Sequence, residues 1–313
     1  MIRTNHHKNI YKTAWLLFIM AALFSGCSLI SKNLMKGDIN FSEGKYHSAI
    51  EFYSLAIDEN PGNTEGYIKR ALAKSKIERH NEAVEDYNKA LIIDDDLLSA
   101  LISKGVELIQ LDDLTAAEKS VRLALVEDPY NKRAFFTLGY IYSLRQDFET
   151  AIFYYTRAVQ LDSLYTEAYV NRANAKGILG NHKTAIEDYN KAISLNPLDD
   201  NLLLARGYDK SFEGEHKSAI HDFTEAIKLN AQNFTAYLFR SESLKELKEL
   251  KSALNDLNFI LTLEPLNGLV LFRRGVIKME LGKQNEACND FISAYQNGYA
   301  PSLEAVKEYC RRR

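Results

Sequence analysis

The side chains able to do chemistry in this chain of 313 residues are few. Cys27, Cys288 and Cys310 carry its three thiols. A thiol can be acylated, oxidised to a disulfide or deprotonated to bind a metal. His80, His182 and His216 recur in register along the chain, with His47 offset by one place. Histidine at regular intervals raises the question of metal ligation. Five arginines, Arg70, Arg172, Arg206, Arg240 and Arg274, each precede an aspartate by sixteen residues: Asp86, Asp188, Asp222, Asp256 and Asp290. Guanidinium and carboxylate at a fixed spacing can form a structural bridge, or the arginines can bind an external anion. No HExxH, GxxxxGK[ST], GxSxG or paired CxxC motif occurs. The expectation is a chain that is not an enzyme, with no catalytic residue, no cofactor and no metal.

Those residues are positioned by two kinds of sequence. Residues 1–26 hold Arg3, Lys8 and Lys12 and no acid, and Ala14 to Phe24 is an unbroken apolar run. Eleven residues are too few to span a bilayer as a helix, which needs about 20. The run fits the hydrophobic region of a secretory signal. Leu23-Phe24-Ser25-Gly26-Cys27 resembles a bacterial lipobox, with Phe24 where Leu is usual. The resemblance implies a signal peptide over 1–26, a lipid on Cys27 and a tether over 27–31. The other reading is an ordinary cleaved signal or an uncleaved anchor. Two acyl chains would hold the product stably on a membrane. Ser28 after the cysteine points to the outer membrane rather than the inner, facing the periplasm or the surface.

The remainder repeats. Ala recurs at 49, 83, 117, 151, 185, 219, 253 and 287, every gap being 34 residues. Four places on stand Tyr53, Tyr87, Val121, Tyr155, Tyr189, Phe223, Leu257 and Phe291. Seven places on stand Ala56, Ala90, Ala124, Ala158, Ala192, Ala226, Ile260 and Ala294. Offsets of 0, 4 and 7 define one face of an α-helix. Twelve places before each Ala lies a small residue: Gly37, Ala71, Gly105, Gly139, Ala173, Gly207, Ser241 or Gly275. That pattern lets two helix backbones approach closely. Gly44, Gly180, Gly214 and Gly282 fall where a left-handed residue would end the first helix of four pairs. Pro61, Pro129, Pro197 and Pro265 follow the second helix in alternate repeats.

This pattern resembles the tetratricopeptide repeat (TPR). The resemblance implies an all-α fold. Its architecture is an α-solenoid, a right-handed superhelix of eight helix-turn-helix repeats over 32–298, with a C-terminal capping helix over 299–313. A single repeat cannot bury its apolar face, so the units must stack.

The Arg–Asp pattern is confined to repeats 2, 5, 6, 7 and 8, and the other three have neither partner. This coincidence favours a bridge within each repeat over an anion-binding ladder. The histidines fall in or beside the turns, too far apart for shared ligation, and are read as solvated polar residues. Cys288 lies on the second helix of the last repeat and Cys310 on the capping helix. They either form a disulfide or stay as two free thiols.

The resemblance also implies that first helices line a concave groove that holds extended peptides or helices. Transferred to this chain, the groove is most aromatic at Phe136, Tyr140, Asn174, Tyr208 and Phe212, with packing between repeats as the competing role for each. The Lys and Asn partners by which some members hold a C-terminal carboxylate are missing. With its leader removed the chain carries a net charge of −6, against −3 overall, so no nucleic-acid partner is expected. The expected function is a membrane-anchored scaffold or adaptor lipoprotein for protein or peptide partners in cell-envelope assembly, with no small-molecule substrate. The alternative is an accessory subunit presenting substrate to a separate envelope enzyme or a secretion or pilus machine.

Overall fold

A computed structural model describes residues 31–310. Cys27, the leader and most of the tether lie outside the described residues. Seventeen α-helices and no strand occur among those described, and they fall into two compact units divided after Pro129.

The first unit holds three hairpins: α1 (Lys32–Ser42) with α2 (Tyr46–Glu59), α3 (Thr64–Ser75) with α4 (His80–Ile93), and α5 (Leu98–Gln110) with α6 (Leu114–Glu127). The second holds five: α7 (Lys132–Leu144) with α8 (Phe148–Leu161), α9 (Thr166–Ile178) with α10 (His182–Leu195), α11 (Asp200–Phe212) with α12 (His216–Leu229), α13 (Phe234–Glu246) with α14 (Leu250–Leu263), and α15 (Gly268–Glu280) with α16 (Gln284–Gln296). A last helix, α17 (Ser302–Tyr309), packs on α16. In the second unit α7 also touches α9, and α11 touches α13, so first helices of successive repeats lie side by side.

The periodic residues form the core. All eight repeat alanines have no exposed surface, and the bulky residues four places on are at most 2% exposed. The small residue of the first helix faces that bulky one. A Cβ on Gly139 would stand 2.6 Å from the Tyr155 ring, and one on Gly275 would stand 2.6 Å from the Phe291 ring. The ring therefore takes the space a larger side chain would need.

All eight turns between paired helices use the left-handed conformation, including the four without glycine. Gly44, Gly180, Gly214 and Gly282 have φ of 74–76°, and Glu78, Asp112, Gln146 and Lys248 have φ of 60–62°. The hydrogen bonds match. Glu215 N–H reaches the Lys210 carbonyl at 2.9 Å, and Asp147 N–H reaches the Tyr142 carbonyl at 3.0 Å. The 34-residue period is thus held by backbone geometry, and glycine only makes it cheaper. No neighbour stands within 4 Å of a Cβ built on Gly214, so Gly214→Ala tests the backbone alone. It is expected to cost about 1 kcal/mol of unfolding free energy, while Gln146→Gly is neutral or gains up to about 1 kcal/mol. Denaturant titration of the two variants reads both signs.

Cys288 and Cys310 are joined, with their Cα atoms 5.4 Å apart. The link closes a loop of 22 residues between α16 and α17. Chain-entropy arguments assign such a loop roughly 3 kcal/mol. Ser302 adds a buried hydrogen bond from its Oγ to the Phe291 carbonyl at 2.7 Å. Reduction is expected to raise amide exchange in residues 302–309 at least tenfold and to leave α7 to α14 unchanged. Protection that stays equal in both regions after reduction contradicts this.

Candidate functional site

The five Arg–Asp pairs are in place, each joining the two helices of its own repeat. Arg206 Nε and Nη2 donate to the two oxygens of Asp222 at 2.8 and 2.7 Å, and the other four pairs have the same two-pronged geometry. The aspartates are at most 5% exposed. Two further partners were not legible beforehand. Each arginine's Nη1 reaches back to the preceding repeat, to Ser54, Thr156, Asn190, Thr224 or Asn258, at 2.8–3.1 Å. In four repeats a lysine four places after the arginine binds the same carboxylate: Lys74, Lys176, Lys210 or Lys278, at 2.7–2.8 Å. In the repeat of Arg240 that place is Leu244. Each arginine is therefore a tie within and between repeats, committed to internal partners.

The aromatic residues divide. Phe136 is partly buried and does not line the cleft described below. It packs against Ala158, Val159 and Ala168, and its ring lies 5.7 Å from Tyr155 and 5.1 Å from Tyr165. A bulky residue at that offset fills the junction between repeats. Tyr140 is exposed but does not line the cleft described next. Asn174, Tyr208 and Phe212 do.

That cleft, of about 750 Å³, opens between α9, α10 and α11, with Phe239 of α13 at its edge. Tyr208 is 39% exposed and Phe212 is 59% exposed. The Tyr208 ring lies 4.8 Å from Phe212 and 5.0 Å from Phe239, which makes one aromatic wall. Leu204, Ala205 and Ile178 complete the apolar lining. Opposite, Tyr189 donates to Asn174 Oδ1 at 2.5 Å, and burial raises the Tyr189 pKa.

The base of the cleft holds His182 and Asp209. Asp209 is 4% exposed and lies 2.7 Å from His182 Nδ1. Burial pushes the Asp209 carboxyl up, and the His182 bond opposes that push. Gly177 makes room, since a Cβ there would stand 3.0 Å from Asp209 Oδ1. The His182 ring stacks on Phe212 at 4.8 Å and 19°. His80 meets the 4%-exposed Glu107 at 2.8 Å in the same way, so these two histidines join neighbouring repeats rather than sitting in solvent. The signal was present in the sequence as a second covariation, 27 residues apart. Among the described residues no three metal-ligating side chains gather closely enough to hold an ion.

Helical hairpins at a 34-residue period, with a small residue facing a bulky apolar one in the repeats, define the class as an α-helical repeat protein. The chain carries tetratricopeptide repeats. Family models of the tetratricopeptide repeat match residues 166–198 and residues 33–63, 64–96 and 132–163. An Hsp70-Hsp90 organising protein of Plasmodium falciparum is 35% identical over 96 residues, which are 31% of this chain and 38% of that protein. A protein SGT1 homolog of Oryza sativa subsp. japonica is 33% identical over 88 residues, 28% of this chain and 24% of that one. The chain thus spans well under half the length of these relatives. Among solved structures, the C-terminal part of a TPR repeat-containing protein from Cytophaga hutchinsonii superposes with a TM-score of 0.63. It is 16% identical, over 77% of this chain and 98% of that one. Pseudomonas aeruginosa PilF gives 0.56 at 21% identity, over 64% and 92%. The likeness to both structures is one of fold.

Proposed function

We propose that this chain is a non-catalytic adaptor, held on a bacterial envelope membrane by a lipid on Cys27, whose second unit seats a segment of a partner protein in the cleft of α9, α11 and α13. The observation that carries the reading is the wall of exposed Tyr208 and Phe212 and half-buried Phe239 over a largely apolar cavity of about 750 Å³. Large aromatic side chains held in a concave surface are common anchors for protein partners. The Plasmodium falciparum relative, an Hsp70-Hsp90 organising protein, supports protein partners for the repeats. Peptide-array binding to the full-length chain tests the cleft. The reading requires that the peptides retained by the wild type be lost from Tyr208→Ala. Retention by that variant counts against it.

The anchor rests on the leader and on Leu23-Phe24-Ser25-Gly26-Cys27. The Cys288–Cys310 link supports an oxidising compartment such as the periplasm. No described helix is long and apolar enough to cross a membrane. Cys27→Ser is expected to abolish palmitate labelling and to move the protein from the membrane pellet to the soluble fraction. A variant that still pellets and labels removes the lipid from the account.

A further inference from the structure

A second cavity, of about 580 Å³, lies on the other side of the same aromatic wall, sharing Tyr208, Phe212 and Phe239 with the first. Its floor holds the buried polar atoms His216 Nδ1 and Ser243 Oγ, and neither has a hydrogen-bond partner. Ser243 is only 1% exposed. An unsatisfied buried donor or acceptor costs about 1–3 kcal/mol, so such a pair calls for an occupant.

The chain itself indicates what fits there. His216 and Ser243 are 27 residues apart, as are His182 and Asp209, and His80 and Glu107. In both of those pairs a buried carboxylate sits on the histidine Nδ1, at 2.7 and 2.8 Å. Where the first position is Tyr46, Phe148 or Leu250, the second is Ala73, Ala175 or Ile277. Histidine thus goes with a carboxylate and an apolar residue with an apolar one. His216 is the departure, because Ser243 carries a neutral hydroxyl where the other two repeats carry a carboxylate. At this slot the chain supplies no carboxylate to the histidine, and His216 Nδ1 stays without a partner.

We propose that the slot receives an acidic side chain of the bound peptide, its carboxylate taking hydrogen bonds from His216 Nδ1 and Ser243 Oγ while the wall of Tyr208, Phe212 and Phe239 holds the neighbouring apolar residue in the first cavity. The proposal rests on the groove reading above and specifies its partner: an extended segment that combines a large apolar residue with an aspartate or glutamate. The surroundings suit a carboxylate. His216 is the first residue of α12, where free backbone N–H groups and the helix dipole favour negative charge. Arg273 lines the cavity, 2.9 Å from Glu242, and Lys245 lies 3.2 Å from Glu246, so both resident acids have a cation beside them.

Ser243→Asp supplies the missing carboxylate from within, as Asp209 does one repeat earlier, and so keeps the fold while closing the slot. The test measures binding of paired synthetic peptides to the full-length chain, each pair matched except for Asp against Asn beside a Phe or Leu. A propionate titration followed on the His216 imidazole by NMR runs alongside. The expected result is a preference of about tenfold for the acidic peptide in wild type, falling to near unity in Ser243→Asp, with the Asn peptide still bound by both. Equal binding of Asp and Asn peptides to wild type overturns the acidic slot and leaves the groove standing. A His216 response to propionate with no peptide preference overturns it too, since the slot then takes free carboxylates only. Failure of every peptide on wild type removes the groove reading and this inference together.

Discussion

Arg240→Ala is expected to lower the unfolding free energy by about 3–5 kcal/mol, and Arg206→Ala by roughly half as much. Asp256 is 5% exposed and takes both its hydrogen bonds from Arg240 at 2.6 and 2.9 Å. Leu244 occupies the place where other repeats supply a lysine. Removing Arg240 leaves a buried carboxylate with no cation beside it. Removing Arg206 leaves Asp222 with Lys210 at 2.8 Å, which keeps part of the compensation. Both variants also lose a bond to the preceding repeat, to Thr224 or Asn190. Chemical denaturation followed by circular dichroism distinguishes the two. Losses below about 1 kcal/mol in both would mean that these pairs behave like exposed ion pairs. Equal losses would mean that the lysines contribute nothing.

The second large effect concerns binding. Tyr208→Ala and Phe212→Ala are each expected to weaken a groove-binding peptide about 30-fold, near 2 kcal/mol, with little change in the denaturation midpoint. Both side chains are well exposed, so their loss opens no core cavity. Phe136→Ala should do the reverse. It removes a ring packed between Tyr155 and Tyr165 and costs about 3 kcal/mol of stability. Tyr140→Ala should change neither. Calorimetric titration with one selected peptide, paired with melting curves, separates the four. Equal loss of affinity in Tyr140→Ala and Tyr208→Ala would contradict the position of the cleft.

The fold was legible because its determinants are local and repeated. Ala, a bulky apolar residue and a small residue at fixed offsets specify one interlocked crossing, and eight copies make the period plain. The Arg–Asp tie was legible because eight repeats in one chain act as an alignment. Its third and fourth members were not, since Lys210 and Asn190 are residue types common on any helix surface. The turns at Glu78, Asp112, Gln146 and Lys248 hid for a different reason. Glycine marks a left-handed residue, but sufficient hydrogen bonding around the turn lets other residues adopt it. Tyr140 and Tyr208 hold the same repeat position, eleven places before Ala151 and Ala219, and sequence alone does not say which ring borders a cleft. The His182–Asp209 pair shows how a polar residue at a helix start can be internal. Its partner lies in the next repeat, 27 residues on, where only a comparison between repeats finds it.

The central claim is that the second unit holds a partner protein at the wall of Tyr208 and Phe212. Its most direct measurement is photocrosslinking in cells from a benzoylphenylalanine placed at Tyr208, compared with one at Glu225 on the opposite helix of the same repeat. The account predicts discrete protein adducts from Tyr208 that fall away when Phe212→Ala is added, and few from Glu225. Adducts from Glu225 with none from Tyr208 would contradict it.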